Sequence, residues 1–321
     1  MQANCNGGTG GTGGKGSNDG HDRNATAPTI ALVTPCHNEH DNLDALVASI
    51  DEQDLAPVRW IIVDDGSSDD TFARAQKLTG HLRWVEVHRR SGDTRKRSFE
   101  SKARAVNAAA GHLKGVEFSY LACIDADVVL PPDFLSVAVS KFESDLSLGI
   151  TGGRFVHPVK GQLRERREPQ SHVPGPAQVF RRKVFDEIGG YLELQHGGID
   201  TVANYTARHH GWKTSTFPDL TFHHTRQLGT GGGRSLLRAA FHLGQQDWDL
   251  GNLGLFELLK VAKDVREQPI LLGAVVRLAG YCESALRRGD RSTPPLVRDF
   301  IRAEQRQRLR AAVPNGIGKS Q

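Results

Sequence analysis

Arg59-Trp60-Ile61-Ile62-Val63-Asp64-Asp65-Gly66-Ser67-Ser68-Asp69 is the stretch whose reading decides the fold. Trp60-Ile61-Ile62-Val63 form an apolar, strand-forming run, and the stretch then breaks into acids, glycine and serines. The pattern returns in Tyr120-Leu121-Ala122-Cys123-Ile124-Asp125-Ala126-Asp127. A third acid, Asp200, follows Gly198-Ile199. Acids at the carboxyl end of an apolar strand do not help a core, because an unpaired buried charge costs several kcal/mol or more. In an open α/β sheet that edge is instead where ligands bind. Asp125 and Asp127 are one residue apart, so in an extended segment they point to the same side. Both can reach one divalent ion or its water shell, and oxygen donors of this kind suit Mg²⁺ or Mn²⁺ carrying a diphosphate.

Working outward, strands are expected at 29–34, 59–64, 82–87, 118–124 and 148–156. Helices are expected at 41–55, 70–78 (capped by Ser68 or Asp69), 101–113, from Pro131-Pro132 to 142, 183–188 and 200–210. Such alternation implies a largely parallel, doubly wound sheet. Residues 159–176 read as a mobile polar loop, and 212–222 as a strand broken by Pro218. Past His224 the pattern changes to a glycine hinge at 229–233 and amphipathic helices at 236–249, 255–265, 270–287 and 296–309. Three parts result: a disordered tail over 1–28, a catalytic domain over 29–226 and a basic helical extension over 227–321.

The chain has 321 residues, 38% of them hydrophobic and 24% charged, as in ordinary soluble proteins. Cys5, Cys36, Cys123 and Cys282 form no CxxC pair, so free thiols in a reducing compartment are expected rather than a disulfide frame or zinc site. The first 28 residues lack the apolar segment of a secretory signal and cannot bury enough surface to fold. Gly8 to Ser17 is not a phosphate-binding loop, since Gly16 follows Lys15 and no strand precedes it. The sequon Asn24-Ala25-Thr26 has no meaning without secretion. No segment reaches the ~18 apolar residues of a membrane span. From Arg226 onward there are 16 Lys and Arg against 9 Asp and Glu, a net of +7 where the whole chain carries +4. A basic tail on a slightly acidic catalytic part follows.

Five segments together resemble family 2 glycosyltransferases of the GT-A fold. They are Thr34-Pro35-Cys36-His37-Asn38-Glu39, Val63 through Thr71, Lys102-Ala103-Arg104-Ala105-Val106-Asn107, Asp125-Ala126-Asp127, and Gln178 through Arg182 with Gly189-Gly190-Tyr191. The resemblance covers about residues 29–226. It implies α/β architecture, a Rossmann-like doubly wound sheet with the helical extension at its C-terminal side. It implies an inverting, metal-dependent transfer from a nucleotide-diphosphate sugar, expected to be UDP-linked, to a glycan or lipid-linked acceptor of bacterial polysaccharide type. On that resemblance Pro35, Asn38, Glu39, Asp65, Lys102 and Asp125 bind the nucleotide, and Asp65 contacts the uracil or ribose. Asp127 binds Mn²⁺ or Mg²⁺, with Asp125 on the ribose or the metal shell.

Each residue also has a plainer reading. Asp64 and Asp69 can make turns and cap helices. Lys102 opens a helix, where its cation and the helix N-terminus could face phosphate, or it could be a solvated lysine. His223 and His224 point to opposite faces of a strand, so one of them reaches the metal. His224 is favoured because the family's histidine ends that apolar alternation, and a core histidine is the alternative. Asp200 could merely start its helix. The resemblance makes it the general base, although Ile199 stands where the family usually has a second acid. The Arg298, Arg302, Arg306, Arg310 stripe could lie on an anionic membrane surface or pack on the catalytic domain. The expected location is cytoplasmic or peripheral on the inner face of the plasma membrane, with no nucleic-acid partner.

A nucleotidyltransferase would need a Gly-rich, Arg- or Lys-bearing loop after the first strand, where Pro35-Cys36-His37-Asn38-Glu39 stands. A silent scaffold that binds polysaccharide would be supported by loss of Asp127 or Asp200, and both are present. A dinucleotide oxidoreductase would need GxGxxG after that strand.

Overall fold

A computed structural model describes residues 27–90, 99–159, 161–166, 169–226, 236–264, 271–287 and 291–312. Cys5, the glycine-rich stretch, the sequon and the hinge at 229–233 lie outside the described residues.

The first four strands are β1 (Ile30–Cys36), β2 (Arg59–Asp64), β3 (Val85–Arg89) and β4 (Tyr120–Ile124). They pair in parallel in the order β3-β2-β1-β4. Burial on both faces explains the nearly continuous hydrophobicity of β1, β2 and β4, whereas the edge strand β3 is half-buried and carries Glu86, His88 and Arg89. Crossovers are supplied by α1 (Leu43–Asp51), α2 (Thr71–Thr79) and α3 (Phe99–His112). The short β5 (Val128–Val129) and α4 (Phe134–Ser144) follow, and then β6 (Leu148–Val159), β7 (Gln162–Glu165), β8 (Ala177–Arg181), α5 (Arg182–Glu187), α6 (Ile199–His209) and β9 (Lys213–His224).

The second half of the sheet continues as β4-β8-β6-β9-β5. β8 runs antiparallel to both β4 and β6, and β6 is parallel to β9. The sheet is therefore mostly but not wholly parallel. One apolar layer, with Leu43, Leu46, Trp60, Phe134 and Phe222, lies on one face. The other, with Ala105, Val106, Phe180, Val184 and Val202, lies opposite.

Two departures from the sequence reading are physical. The polar segment expected to be a mobile loop contains β7, which pairs with the end of β6. All four β7 residues are exposed, so backbone hydrogen bonds hold a strand that carries no apolar pattern. Pro218 does not end the last strand. The β6–β9 register passes from Gly153↔Phe217 to Arg154↔Thr221, and the proline sits in that bulge, where no ladder N–H is needed.

Four helices complete the chain: α7 (Leu236–Asp249), α8 (Gly254–Asp264), α9 (Leu272–Arg287) and α10 (Pro295–Ala312). Val297 and Ile301 of α10 join the same apolar layer as α6, and Arg208 pairs with Glu304 at 2.9 Å. So the arginine-rich helix packs on the catalytic part, the second of its two readings. Between α7, α8 and α9, Asp247 and Glu257 are buried around Arg277, with Lys260 beside Asp247. No helix among the described residues is long and apolar enough to cross a membrane.

Candidate active site

The strand order reverses direction at β1, between β2 and β4. Loops leave the carboxyl ends of these strands to opposite sides there and open a crevice. A cleft with about 390 Å³ of empty volume occupies this point. Pro35, Glu39, Asp65, Lys102, Asp125 and Asp127 line it, together with Cys36, His37 and Ser101.

On the β2 side the loop is tied to β1. Asp65 N–H donates to the Cys36 carbonyl at 2.8 Å, and Gly66 turns the chain at φ 71°, a left-handed conformation suited to glycine. Asp64 points inward to the Ser67 hydroxyl and backbone N–H. Asp65 receives Arg90, whose Nε donates at 2.8 Å. Asp69 does the work of a turn-maker: its carboxylate accepts from the Thr71 N–H at 3.0 Å. Asn38 adopts φ 55° and its side-chain oxygen accepts from the Ser68 N–H at 2.8 Å. Its amide thus braces the two loops and does not line the cleft.

Lys102, in the first turns of α3, forms an ion pair with Asp125 at 2.6 Å. It is not a solvated lysine. Burial works against its charge, but Asp125, with help from Asp200 and Asp127, outweighs burial and keeps the amine protonated well into the alkaline range.

Asp127 and His224 meet because β5 pairs with β9, with Val128 opposite His224. His224 Nε2 lies 3.5 Å from Asp127 Oδ1, whereas His223 faces outward. His224 Nδ1 sits 2.8 Å from the Arg226 carbonyl, which holds the ring with Nε2 toward Asp127. A ring oriented by a backbone carbonyl, facing a carboxylate across a gap, is a common outer-shell arrangement at metal sites. The two donors therefore fit a divalent cation. Among the described residues no three His, Cys, Asp or Glu side chains converge to hold a metal unaided, so its remaining ligands would come from diphosphate and water. Burial raises the Asp127 pKa, but His224 and Arg226 outweigh it and hold the carboxyl below its usual range.

The sequence reading did not single out Arg226. Its Nε and Nη2 donate to Asp127 Oδ2 at 2.9 and 2.6 Å, and Nη2 also reaches Glu39. An arginine two residues beyond the strand-ending histidine was the available signal.

Asp200 lies in the first turn of α6, after Gly197 and Gly198 at φ 86° and 81°. Its carboxylate does not cap its own helix. It accepts from the Gly175 N–H at 3.0 Å, and His172 Nε2 stands 3.8 Å away. A Cβ on residue 175 would lie 3.1–3.2 Å from the Asp200 side chain, so the glycine makes room for that approach. His172 was also not anticipated; it belongs to the polar segment read as a loop.

The model of the family described as Glycosyl transferase family 2 matches residues 31–191. Poly-beta-1,6-N-acetyl-D-glucosamine synthase of Staphylococcus aureus is 25% identical over 124 residues, 39% of this chain and 28% of that protein. Dodecaprenyl-phosphate galacturonate synthase of Rhizobium johnstonii is 31% identical over 121 residues, 36% of this chain and 32% of that one. The chain thus aligns with less than a third of the length of these relatives. Among solved structures, the mannosyltransferase PcManGT of Pyrobaculum calidifontis, in complex with GDP-Man and Mn²⁺, superposes with a TM-score of 0.54 at 17% identity. That match covers 92% of this chain and 89% of the other. S. aureus TarS in complex with UDP-GlcNAc gives 0.53 at 16%, covering 85% and 84%. At these identities the likeness is one of fold, and the fold is GT-A. With half its length matched by the family model, the chain belongs to glycosyl transferase family 2 and is a glycosyltransferase.

Proposed function

We propose that this glycosyltransferase moves a sugar from a nucleotide-diphosphate sugar, UDP-linked by our reading, to a glycan or lipid-linked acceptor with inversion at the anomeric carbon. The observation that carries the reading is the orientation of Asp200. Its carboxylate is turned away from its own helix, partly exposed, and close enough to the cleft for its charge to be felt at Lys102.

In this reading Pro35, Glu39 and Asp65 line the nucleoside end, Asn38 braces the two loops behind it, and Lys102 with Asp125 stands beside the ribose and diphosphate. The acceptor hydroxyl oxygen attacks the anomeric carbon and passes its proton to Asp200. The bond from that carbon to the diphosphate oxygen breaks, and the electron pair leaves with the diphosphate. Asp127 and His224 would hold Mn²⁺ or Mg²⁺, which supplies Lewis-acid stabilisation of the leaving diphosphate charge.

A lipid-linked acceptor is supported by exposed Leu255, Leu258 and Leu259 on α8 and by Leu272, Val275 and Leu286 on α9. These belong to the basic final part of the chain, a combination suited to lying on an anionic membrane surface. The Rhizobium relative is named as a synthase of a dodecaprenyl-phosphate galacturonate, which agrees with this.

The test is Asp200→Asn, assayed with whichever donor a thermal-shift panel of UDP- and GDP-sugars with Mn²⁺ selects. Turnover is expected to fall about 10²–10⁴-fold. Donor affinity should hold, because Asp200 faces the acceptor. Turnover within a few-fold of the parent would remove Asp200 as the base.

A further inference from the structure

Asp127 and Glu39 are both nearly inaccessible, at 7% and 2% exposure, and they converge on one guanidinium. Two buried carboxylates need a compensating cation. Arg226 is placed to be that cation, but not as a fixture. Its backbone is anchored: its carbonyl faces His224 Nδ1 at 2.8 Å, and the neighbouring Thr225 N–H donates to the Asp127 carbonyl at 2.9 Å. The Thr225 hydroxyl donates to Asn42, whose own amide donates to Glu39 at 2.8 Å. The Arg226 side chain, by contrast, is 30% exposed at the rim. It can swing to solvent without disturbing the strand end that positions His224.

Both bonds to Asp127 end on Oδ2, while Oδ1 faces the histidine. A divalent ion between Oδ1 and Nε2 would sit beside a guanidinium on the same carboxylate, and like charges at that range repel strongly. Exchange is thus favoured over joint occupancy.

We propose that Arg226 is an internal competitor for the metal site, neutralising Asp127 and Glu39 in the empty enzyme and leaving Asp127 when a divalent cation loads. This rests on the reading that Asp127 and His224 hold the metal. Arg226 thereby sets how much cation the enzyme needs. The released guanidinium stays tethered at the mouth of the donor cleft, where a diphosphate is the complementary anion.

Two measurements test it, neither of them activity. Titration of Mn²⁺ alone into the full chain, followed by electron paramagnetic resonance, compares the parent with Arg226→Gln. The variant should bind about tenfold more tightly or better. Arg226→Lys keeps a charge but cannot chelate one oxygen with two nitrogens, and should fall between; it also serves if the glutamine variant melts early. In the parent, the slowly exchanging Arg226 Nε–H resonance should disappear when diamagnetic Mg²⁺ saturates the site. Glutamine binding Mn²⁺ no more tightly than the parent, or an Nε–H signal that survives saturation, overturns the proposal. If the parent binds Mn²⁺ and Asp127→Asn abolishes it while Arg226→Gln changes nothing, the competitor alone falls. If neither parent nor variant binds Mn²⁺, the metal reading falls and takes the competitor with it.

Discussion

Two places in this molecule bury a pair of carboxylates around one arginine. At the sheet edge these are Asp127 and Glu39 with Arg226. Among the C-terminal helices they are Asp247 and Glu257 with Arg277, whose Nη2 reaches Asp247 at 2.6 Å and whose Nε reaches Glu257 at 3.1 Å. The surroundings differ. In the helical cluster Lys260 adds a second cation, Asn252 donates to Asp247 at 2.8 Å, and the arginine itself is only 12% exposed. There Lys260 and Arg277 both face the two acids. At the sheet edge the arginine is 30% exposed, and its two acids border the cleft. The same three side chains therefore make a staple in one setting and an exchangeable counter-ion in the other. What separates them is the access of the arginine to solvent, 30% against 12%, not residue type.

The largest effect that could break this contrast is Arg277→Met. It leaves Asp247 and Glu257 buried with Lys260 alone, and removing one member of a buried ionic cluster costs about 3–5 kcal/mol. Urea unfolding should show a loss of that size, against less than half of it for Arg226→Gln, whose acids border an open cleft. Equal losses would erase the distinction.

A middling effect concerns Glu257. Burial first, and then the Asp247 charge, push its carboxyl up to about 7. Its Oε2 lacks a hydrogen bond among the described residues. A folded value above the unfolded one means the native state holds an extra proton between the two. The stabilisation is complete below the unfolded pKa and is lost as pH rises through about 7. The stability difference between the parent and Glu257→Gln should thus shift in the parent's favour by on the order of 2 kcal/mol from pH 8 to pH 5. A pH-independent difference would assign Glu257 a permanently charged role.

The smallest effect sharpens the contrast on a single helix. α8 turns Glu257 inward and Leu258 and Leu259 outward. Leu258→Ser should leave melting unchanged and weaken binding to phosphatidylglycerol vesicles by about tenfold, as expected for losing ~1.5 kcal/mol of apolar burial. Unaltered binding would detach the exposed leucines from any lipid contact.

Much of this was legible in the sequence, for a reason that also marks its limits. β1, β2 and β4 announce themselves because strands buried on both faces must be apolar throughout. The acids that follow stand out because they contradict that run. β8 gave no such signal. In Ala177-Gln178-Val179-Phe180-Arg181 the polar members are satisfied internally, Gln178 by Val173 and Tyr191 and Arg181 by Leu148 and Phe142. Local sequence does not reveal such partners. The pairing of Asp127 with His224 was foreseeable as chemistry, whereas Arg226 was not, since its role depends on β5 meeting β9 across a separation of about a hundred residues. Asp69 acts as the turn residue it was read to be, and Asp200, which a cap would equally have explained, is turned elsewhere.

The antiparallel strand at the centre of the sheet has a consequence for how the chain reaches its native state. β1, β2 and β3 join through short crossovers, and β4 then adds to the far side of β1, so this half can assemble before the rest of the sheet is made. β6 cannot join it directly, because β8 lies between them, and β8 is made later. The two halves close only when this strand is inserted with both of its ladders at once. During synthesis, a chain that has just passed Asp127 already owns Asp65, Lys102 and Asp125 but presents an open β4 edge. That edge is the stretch on which another unfinished copy could pair, and filling it is the step that unites Asp127 with the half of the enzyme carrying Asp200.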